Sequence, residues 1–298
     1  MTDTRTSTPR PVARVVDAPR QLEGEGFEVR RPFPSGALPM VDPFLLLDEM
    51  GPADYAPGEA KGAPDHPHRG FETVTYMLDG AFEHEDSAGH RGALAAGDVQ
   101  WMTAGRGVVH SEMPAQDIRE RGGRVHGFQL WVNLPARDKM MAPRYQEVPG
   151  SRIPAAATPD GKARVRVIAG EALGARAVID TRTPIVYQDW TLEPGARVEQ
   201  PLAEAHNAFV YVFDGRARVG AEARELGEGQ LALLGAGTGV TLSVAADAAR
   251  GARLLLLSGQ PLGEPVARYG PFVMNTEAEI LQAITDYQAG RLGEIRRA

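Results

Sequence analysis

Two pairs of metal-type side chains, each pair separated by one residue, constrain this chain more than any other feature. His66, Pro67 and His68 form the first pair, and His110, Ser111 and Glu112 the second. In an extended strand successive side chains point to opposite faces, so positions i and i+2 project together and can reach one ion. Two strands that bring these pairs opposite each other build a four-ligand site. Three imidazoles and a carboxylate are a nitrogen and oxygen set suited to a divalent first-row metal: iron, manganese, nickel, copper or zinc. The chain has no Cys, so no thiolate competes and no disulfide staples the fold. A structural zinc site is usually closed and commonly thiolate-rich, whereas an ion preferring six ligands keeps positions open. The open site, with iron in it, is the reading favoured here.

A single H-x-H pair among seven histidines carries little weight, since either residue could be a hydrogen-bonded core histidine. The setting of the second pair adds weight. Gly105-Arg106-Gly107 leads into Val108-Val109-His110-Ser111-Glu112, and the two glycines let the backbone bend tightly before a strand whose residues 108, 110 and 112 share a face.

The surrounding text reads as an all-β plan. Residues 71 to 78 set Glu72, Val74, Tyr76 and Leu78 on one parity and Phe71, Thr73, Thr75 and Met77 on the other, which reads as a strand covered on both faces, followed by Asp79-Gly80 as a hairpin turn. Strands follow near 81–85, 99–102 and 126–135, and Trp101, Met102 and Phe71 are candidates for core or pocket lining. Leu45, Leu46 and Leu47 are expected to be buried, and residues 51–65 read as an exposed loop that delivers the chain to His66. Thirty-four glycines and 23 prolines, scattered along the chain, suit short strands joined by turns. A second β unit reads from the segments 163–168, 185–192, 208–213, 231–234, 240–244 and 254–257. Asp214-Gly215 echoes Asp79-Gly80, and Gly227-Glu228 echoes Gly97-Asp98, which points to a duplicated domain. In place of the first ligand pair the second unit has Glu199 to Ala203 and a lone His206; it lacks the second pair, so this half is expected to hold no metal. Ile280, Leu281 and Ile284 stand at helical spacing over 277–288, with Asn275-Thr276 as a cap. The expected division is a tail over 1–20, a metal-binding domain over 21–140, and a second domain with the C-terminal helix over 141–298.

A net charge of −7 and a pI near 5.6 argue against a broad basic surface for nucleic acid. Met1 to Arg10 is polar, with no apolar stretch of signal-peptide type, and no run of about 18 apolar residues occurs. The expected location is the cytoplasm, without membrane partners.

The segments HPHRGFETVTYMLDG (66–80), HEDSAGH (84–90), GDVQWMTAGRGVVHSEMP (97–114), QLWVNLP (129–135) and GPFVMNTEAEI (270–280) resemble the pirin family of the cupin superfamily. The resemblance runs from about residue 20 to 295. It implies a bicupin: two stacked jelly-roll β-barrels with a short C-terminal helix, the first holding a mononuclear metal, usually Fe(II). The family's ligands fall on His66, His68, His110 and Glu112. Glu72 sits where other cupins place a ligand and is read as structural; His84, His90 and His126 are read as hydrogen-bonded residues outside the ligand set. The resemblance also implies an activity like that of quercetin 2,3-dioxygenase (a quercetinase), opening the central ring of a flavonol with O2 and releasing carbon monoxide. In that reading the small aromatic substrate chelates the metal and Glu112 accepts its hydroxyl proton. The competing implication is a non-catalytic, iron-dependent and redox-responsive regulator that binds a transcription factor or a metabolic enzyme. A third is a metal-dependent enzyme acting on another small molecule, since such barrels host many chemistries.

Overall fold

The computed structural model describes residues 8–297 and is built almost entirely of antiparallel strands. The chain begins with β1 (Val12–Asp17), β2 (Arg20–Glu23), β3 (Phe27–Phe33), β4 (Phe44–Tyr55), β5 (Ala63–His68) and β6 (Phe71–Asp79). It continues through β7 (Phe82–Asp86), β8 (Arg91–Leu94), β9 (Val99–Thr103) and β10 (Val108–Pro114). A short helix α1 (Gln116–Arg121) then leads to β11 (Gly123–Asn133) and β12 (Arg144–Val148). One compact unit takes residues 19–34, 43–152 and 262–298. Its large sheet runs β12-β9-β6-β11-β4-β3-β2 and its small sheet β5-β10-β7-β8, the two sheets of a jelly roll. Strand β6 is buried along Phe71–Met77, covered on both faces as expected, and Gly80 turns the hairpin at φ +76°.

Among the described residues, the other unit takes 8–18, 35–42 and 153–261. It contains β13 (Ala155–Ala157), β14 (Ala163–Ala169), the hairpin β15 (Glu171–Ala172) and β16 (Ala175–Arg176), and β17 (Ile185–Leu192). These are followed by β18 (Arg197–Pro201), β19 (Asn207–Asp214), β20 (Arg216–Val219), β21 (Arg224–Gly227), β22 (Gln230–Leu234), β23 (Gly239–Ser243) and β24 (Ala252–Gly259). The sheets run β1-β22-β19-β24-β17-β14-β13 and β18-β23-β20-β21, the same order strand for strand as in the first unit. Its interior is an apolar cluster that includes Val165, Trp190, Val210, Leu242, Leu254 and Leu256. Each large aliphatic side chain buried in this way contributes about 1.5–3 kcal/mol.

The domain limits differ from the expected 1–20, 21–140 and 141–298. Strand β1 lies inside the stretch read as a tail, yet it pairs with β22, and Arg10 is buried with its guanidinium donating to the carbonyls of Ala203, Glu204 and Gly235. Polar composition misled here because main-chain carbonyls can satisfy a buried arginine as well as water does. Residues 1–7 of that tail lie outside the described residues. The hairpin β25 (Ala267–Tyr269) and β26 (Phe272–Met274) and the helix α2 (Glu277–Gln288) belong to the first unit, not the second. Thr276 caps α2, its hydroxyl accepting from the Glu279 N–H while the Glu279 carboxylate accepts from the Thr276 N–H, a full capping box. The loop expected over 51–65 is shorter, because β4 continues through Tyr55 and β5 starts at Ala63. No described helix is long and apolar enough to cross a membrane.

Candidate metal centre

Strands β5 and β10 pair antiparallel, and their register sets His110 opposite His66 and Val108 opposite His68. The register then slips: Glu112 pairs with Ala63, so Pro64 and Asp65 together oppose Ser111 in a bulge on β5. Pro64 has no N–H to donate to the ladder, so a bulge there costs little. The bulge turns the Pro64 carbonyl toward His66, whose Nδ1 lies 2.7 Å from it. A proton on Nδ1 leaves the Nε2 lone pair free, the usual way a backbone carbonyl orients a ligating imidazole. His68 Nδ1 lies 3.4 Å from the Pro271 carbonyl, a looser version of the same arrangement.

The nitrogens of His66, His68 and His110 lie within 4.8 Å of one another, and the His66 and His68 Nε2 atoms are 3.1 Å apart. His68 and His110 are buried, and burial, followed by the neighbouring charge of His66, pushes both imidazoles well below their ordinary pKa. They are therefore neutral ligands at physiological pH. Neither ring nitrogen of His110 has a hydrogen-bond partner among the described residues. Leaving such a buried group unmatched costs about 1–3 kcal/mol, which coordination to a cation would offset. Three convergent imidazoles with an unmatched ring among them fit a divalent metal.

Glu112 stands apart from this triplet. Its Oε1 accepts from the Thr75 hydroxyl at 2.8 Å and its Oε2 from the Gln129 amide at 3.0 Å, which holds the carboxylate in the wall of the cavity beside the histidines. That cavity has a volume of roughly 490 Å³, enough for a ligand of two or three rings. Phe27, Leu46, Met50, Phe82 and Trp131 provide apolar walls, and Arg31, Asp48 and Arg268 stand among them.

The other sequence-level candidates fall into place around this centre. Glu72 is buried and accepts from the Thr103 hydroxyl at 2.6 Å, a structural role. His84 is buried against the Glu147 carboxylate at 2.6 Å, His90 faces Asp86 at 2.9 Å, and His126 faces Glu49 at 3.0 Å. His206 Nδ1 lies 3.3 Å from the Ser258 hydroxyl. Trp101, Met102 and Phe71 are fully buried and do not line the cavity; Phe71 instead packs edge-on to His68, with ring centroids 5.0 Å apart. The tryptophan that does line it is Trp131, which sequence reading passed over. Its signal was present: Phe128, Leu130 and Val132 take one parity of β11 into the core, so Gln129 and Trp131 face the other way, paired with Asp48 and Leu46 of β4.

Residues 26–132 match the Pirin family, and residues 187–293 match the Pirin C-terminal cupin domain. The chain belongs to the pirin family. A pirin-like protein of Solanum lycopersicum is 49% identical over 288 residues, covering 96% of this chain and 94% of its own length. Human pirin is 44% identical over 276 residues, covering 92% and 90% respectively. Among solved structures, one titled quercetin 2,3-dioxygenase from Acinetobacter baumannii superposes with a TM-score of 0.90 at 38% identity, covering 97% of this chain and all of the other. The bicupin architecture expected for a pirin is thus the one this chain adopts. In this pirin the second unit's strands β18 and β23 occupy the places of β5 and β10; the Gly97/Gly227 echo aligns His110 and Glu112 with Val240 and Leu242, and the strand register then sets Gln200 and Leu202 in the places of His66 and His68. Leu202, Val240 and Leu242 are part of that unit's apolar core.

Proposed function

We propose that this pirin is a metal-dependent dioxygenase that opens the central ring of a flavonol such as quercetin. The observation that carries the reading is the triplet His66, His68 and His110 beside a cavity of roughly 490 Å³ with largely apolar walls. It is supported by the 38% identity to a protein titled quercetin 2,3-dioxygenase. The three histidines hold one divalent ion, with Glu112 as a fourth ligand; iron is our assignment, and manganese, nickel, copper and zinc suit the same donor set. When bound, the ion supplies Lewis acidity that lowers the pKa of a chelating hydroxyl and a redox-active centre for dioxygen chemistry. The flavonol's 3-hydroxyl and 4-carbonyl face the histidines, and its rings lie between the apolar walls, which exclude water. Glu112 accepts the 3-hydroxyl proton, and the donors Thr75 and Gln129 hold its carboxylate in position. The reaction consumes one O2 per flavonol and yields one carbon monoxide and one ring-opened ester, so all atoms are conserved.

Loss of flavonol absorbance in iron-reconstituted protein tests this. Wild type is expected to turn over, Glu112→Gln to retain part of its metal while losing turnover about a hundredfold, and His110→Ala to lose both. Full activity in metal-free His110→Ala would rule the proposal out. Absence of turnover in fully iron-loaded wild type would favour a redox-responsive binding protein, for which association with a partner would differ between Fe(II) and Fe(III).

A further inference from the structure

We propose that Arg268 determines specificity by binding an acidic oxygen, phenolate or carboxylate, on the end of an aromatic ligand remote from the histidine triplet. Two arginines line the cavity, and their circumstances differ. Arg31 is fully engaged: its Nε and Nη2 donate to the two Asp48 oxygens at 2.6 Å each, and its Nη1 lies 2.7 Å from the Glu23 carboxylate. Arg268 has no ion-pair partner among the described residues. Its Nη1 donates to the Leu45 carbonyl at 3.3 Å, which uses one of the five N–H donors of a guanidinium. The rest of the group lies over the Trp131 ring, its carbon 4.8 Å from the ring centroid. A guanidinium held over an indole, with one N–H engaged, keeps its other donors for recognition of an oxygen anion.

Trp131 also fixes the distance. Its ring centroid is 5.2 Å from that of His68, so the Arg268 guanidinium lies within about 10 Å of the His68 ring. A planar ligand of two or three fused or linked rings spans that length, with one end at the histidines and the other at Arg268. Glu23 and Asp48 are near enough to act on Arg268 electrostatically, but Arg31 holds both, so an incoming oxygen meets paired carboxylates and an unpaired guanidinium. For the aromatic skeleton this inference rests on the flavonol reading, where the oxygen is a ring hydroxyl away from the chelating 3-hydroxyl and 4-carbonyl. The oxygen recognition itself stands independently.

Two binding measurements on the full chain test it. In the first, anaerobic dissociation constants of the metal-loaded protein are taken for quercetin and its 7- and 4′-O-methyl ethers. In the second, metal-stripped protein is titrated with 2-naphthoate and 2-naphthamide, which carry no flavonol. Wild type is expected to bind at least one ether about fivefold more weakly than quercetin, and the carboxylate about tenfold more tightly than the amide. Arg268→Met should erase both preferences with an unchanged melting temperature, and Arg268→Lys should restore part of each. If Arg268→Met keeps both preferences, or wild type shows neither, the assignment is overturned. If naphthoate discrimination follows Arg268 while no flavonol binds, the flavonol reading falls and the Arg268 assignment stands. If flavonols bind and Arg268→Met leaves both arms unchanged, the converse holds.

Discussion

His110 concentrates the residue-scale argument, because a fully buried imidazole without a hydrogen-bond partner among the described residues is stable only if something else satisfies it. Replacing it should therefore have opposite effects on metal and on the metal-free fold. We expect His110→Phe to bind at least tenfold less iron by elemental analysis, while its metal-free form melts no lower than metal-free wild type. Lys139 is a buried cation of the same unit. Its Nζ donates to the carbonyls of Gly70 and Val273 and to the Asn133 amide oxygen, with no carboxylate in contact, and burial lowers its pKa to about 8. Below pH 8 both folded and unfolded chains carry the proton, and the folded state bears the whole desolvation cost. Between pH 8 and 10.5 the folded chain releases the proton while the unfolded chain keeps it, so this residue's contribution to stability rises with pH. Urea titrations of wild type against Lys139→Met should show wild type gaining on the variant across that window, by a few kcal/mol at most, since one pKa unit corresponds to about 1.36 kcal/mol. A flat difference would contradict it. At this scale the sequence was informative about the histidines, whose spacing places them together, and it named Glu112 beside them, but it was silent about Thr75 and Gln129, the donors that hold the Glu112 carboxylate. Arg268 was equally invisible, lying more than 150 residues from the ligand pairs.

Among the elements, the segment that follows the triplet depends on close approach. Gly70 has φ +88°, and a Cβ there would lie 2.0 Å from the Val273 carbonyl oxygen of β26. The same hairpin supplies the Pro271 carbonyl that faces His68. Gly70→Ala should thus both destabilise the protein, by about 2 kcal/mol or more, and weaken metal binding, whereas a change at the open turn residue Gly89 should leave metal affinity alone. Calorimetry and metal titration together check this. Strands were legible where short runs rich in β-branched, aromatic and aliphatic residues stood apart, as in β6, β17 and β24, and helix α2 was legible down to its cap. Strand β1 and the bulge on β5 were not legible: the first is a short run whose partner β22 lies far along the chain, and the second is a consequence of pairing that appears only once β10 is laid beside it.

For the whole molecule, the repeated strand order identifies two copies of one plan, [β1–β11] and [β12–β24], with a telling difference in assignment. The first strand of each repeat completes the large sheet otherwise built by the other repeat: β1 joins β22, and β12 joins β9. Turn echoes suggested the duplication in the sequence, but an exchange of edge strands leaves no local signature. Removing residues 1–18 should consequently strip an edge strand from the unit without the histidine triplet, and hydrogen exchange should rise first in β22 and β19 rather than in β5 and β10. Equal loss of protection in both units would argue against that assignment. Divergence of the copies is chemical: where one barrel carries imidazoles and a carboxylate, the other packs Leu202, Val240 and Leu242 into an apolar core.

The most direct test of the account is simultaneous measurement of O2 consumed and carbon monoxide released when quercetin is added to iron-reconstituted protein, with His110→Ala alongside. The account predicts equal amounts of the two gases from wild type and neither above background from the variant. Oxygen uptake without carbon monoxide, or equal release from the variant, would contradict it.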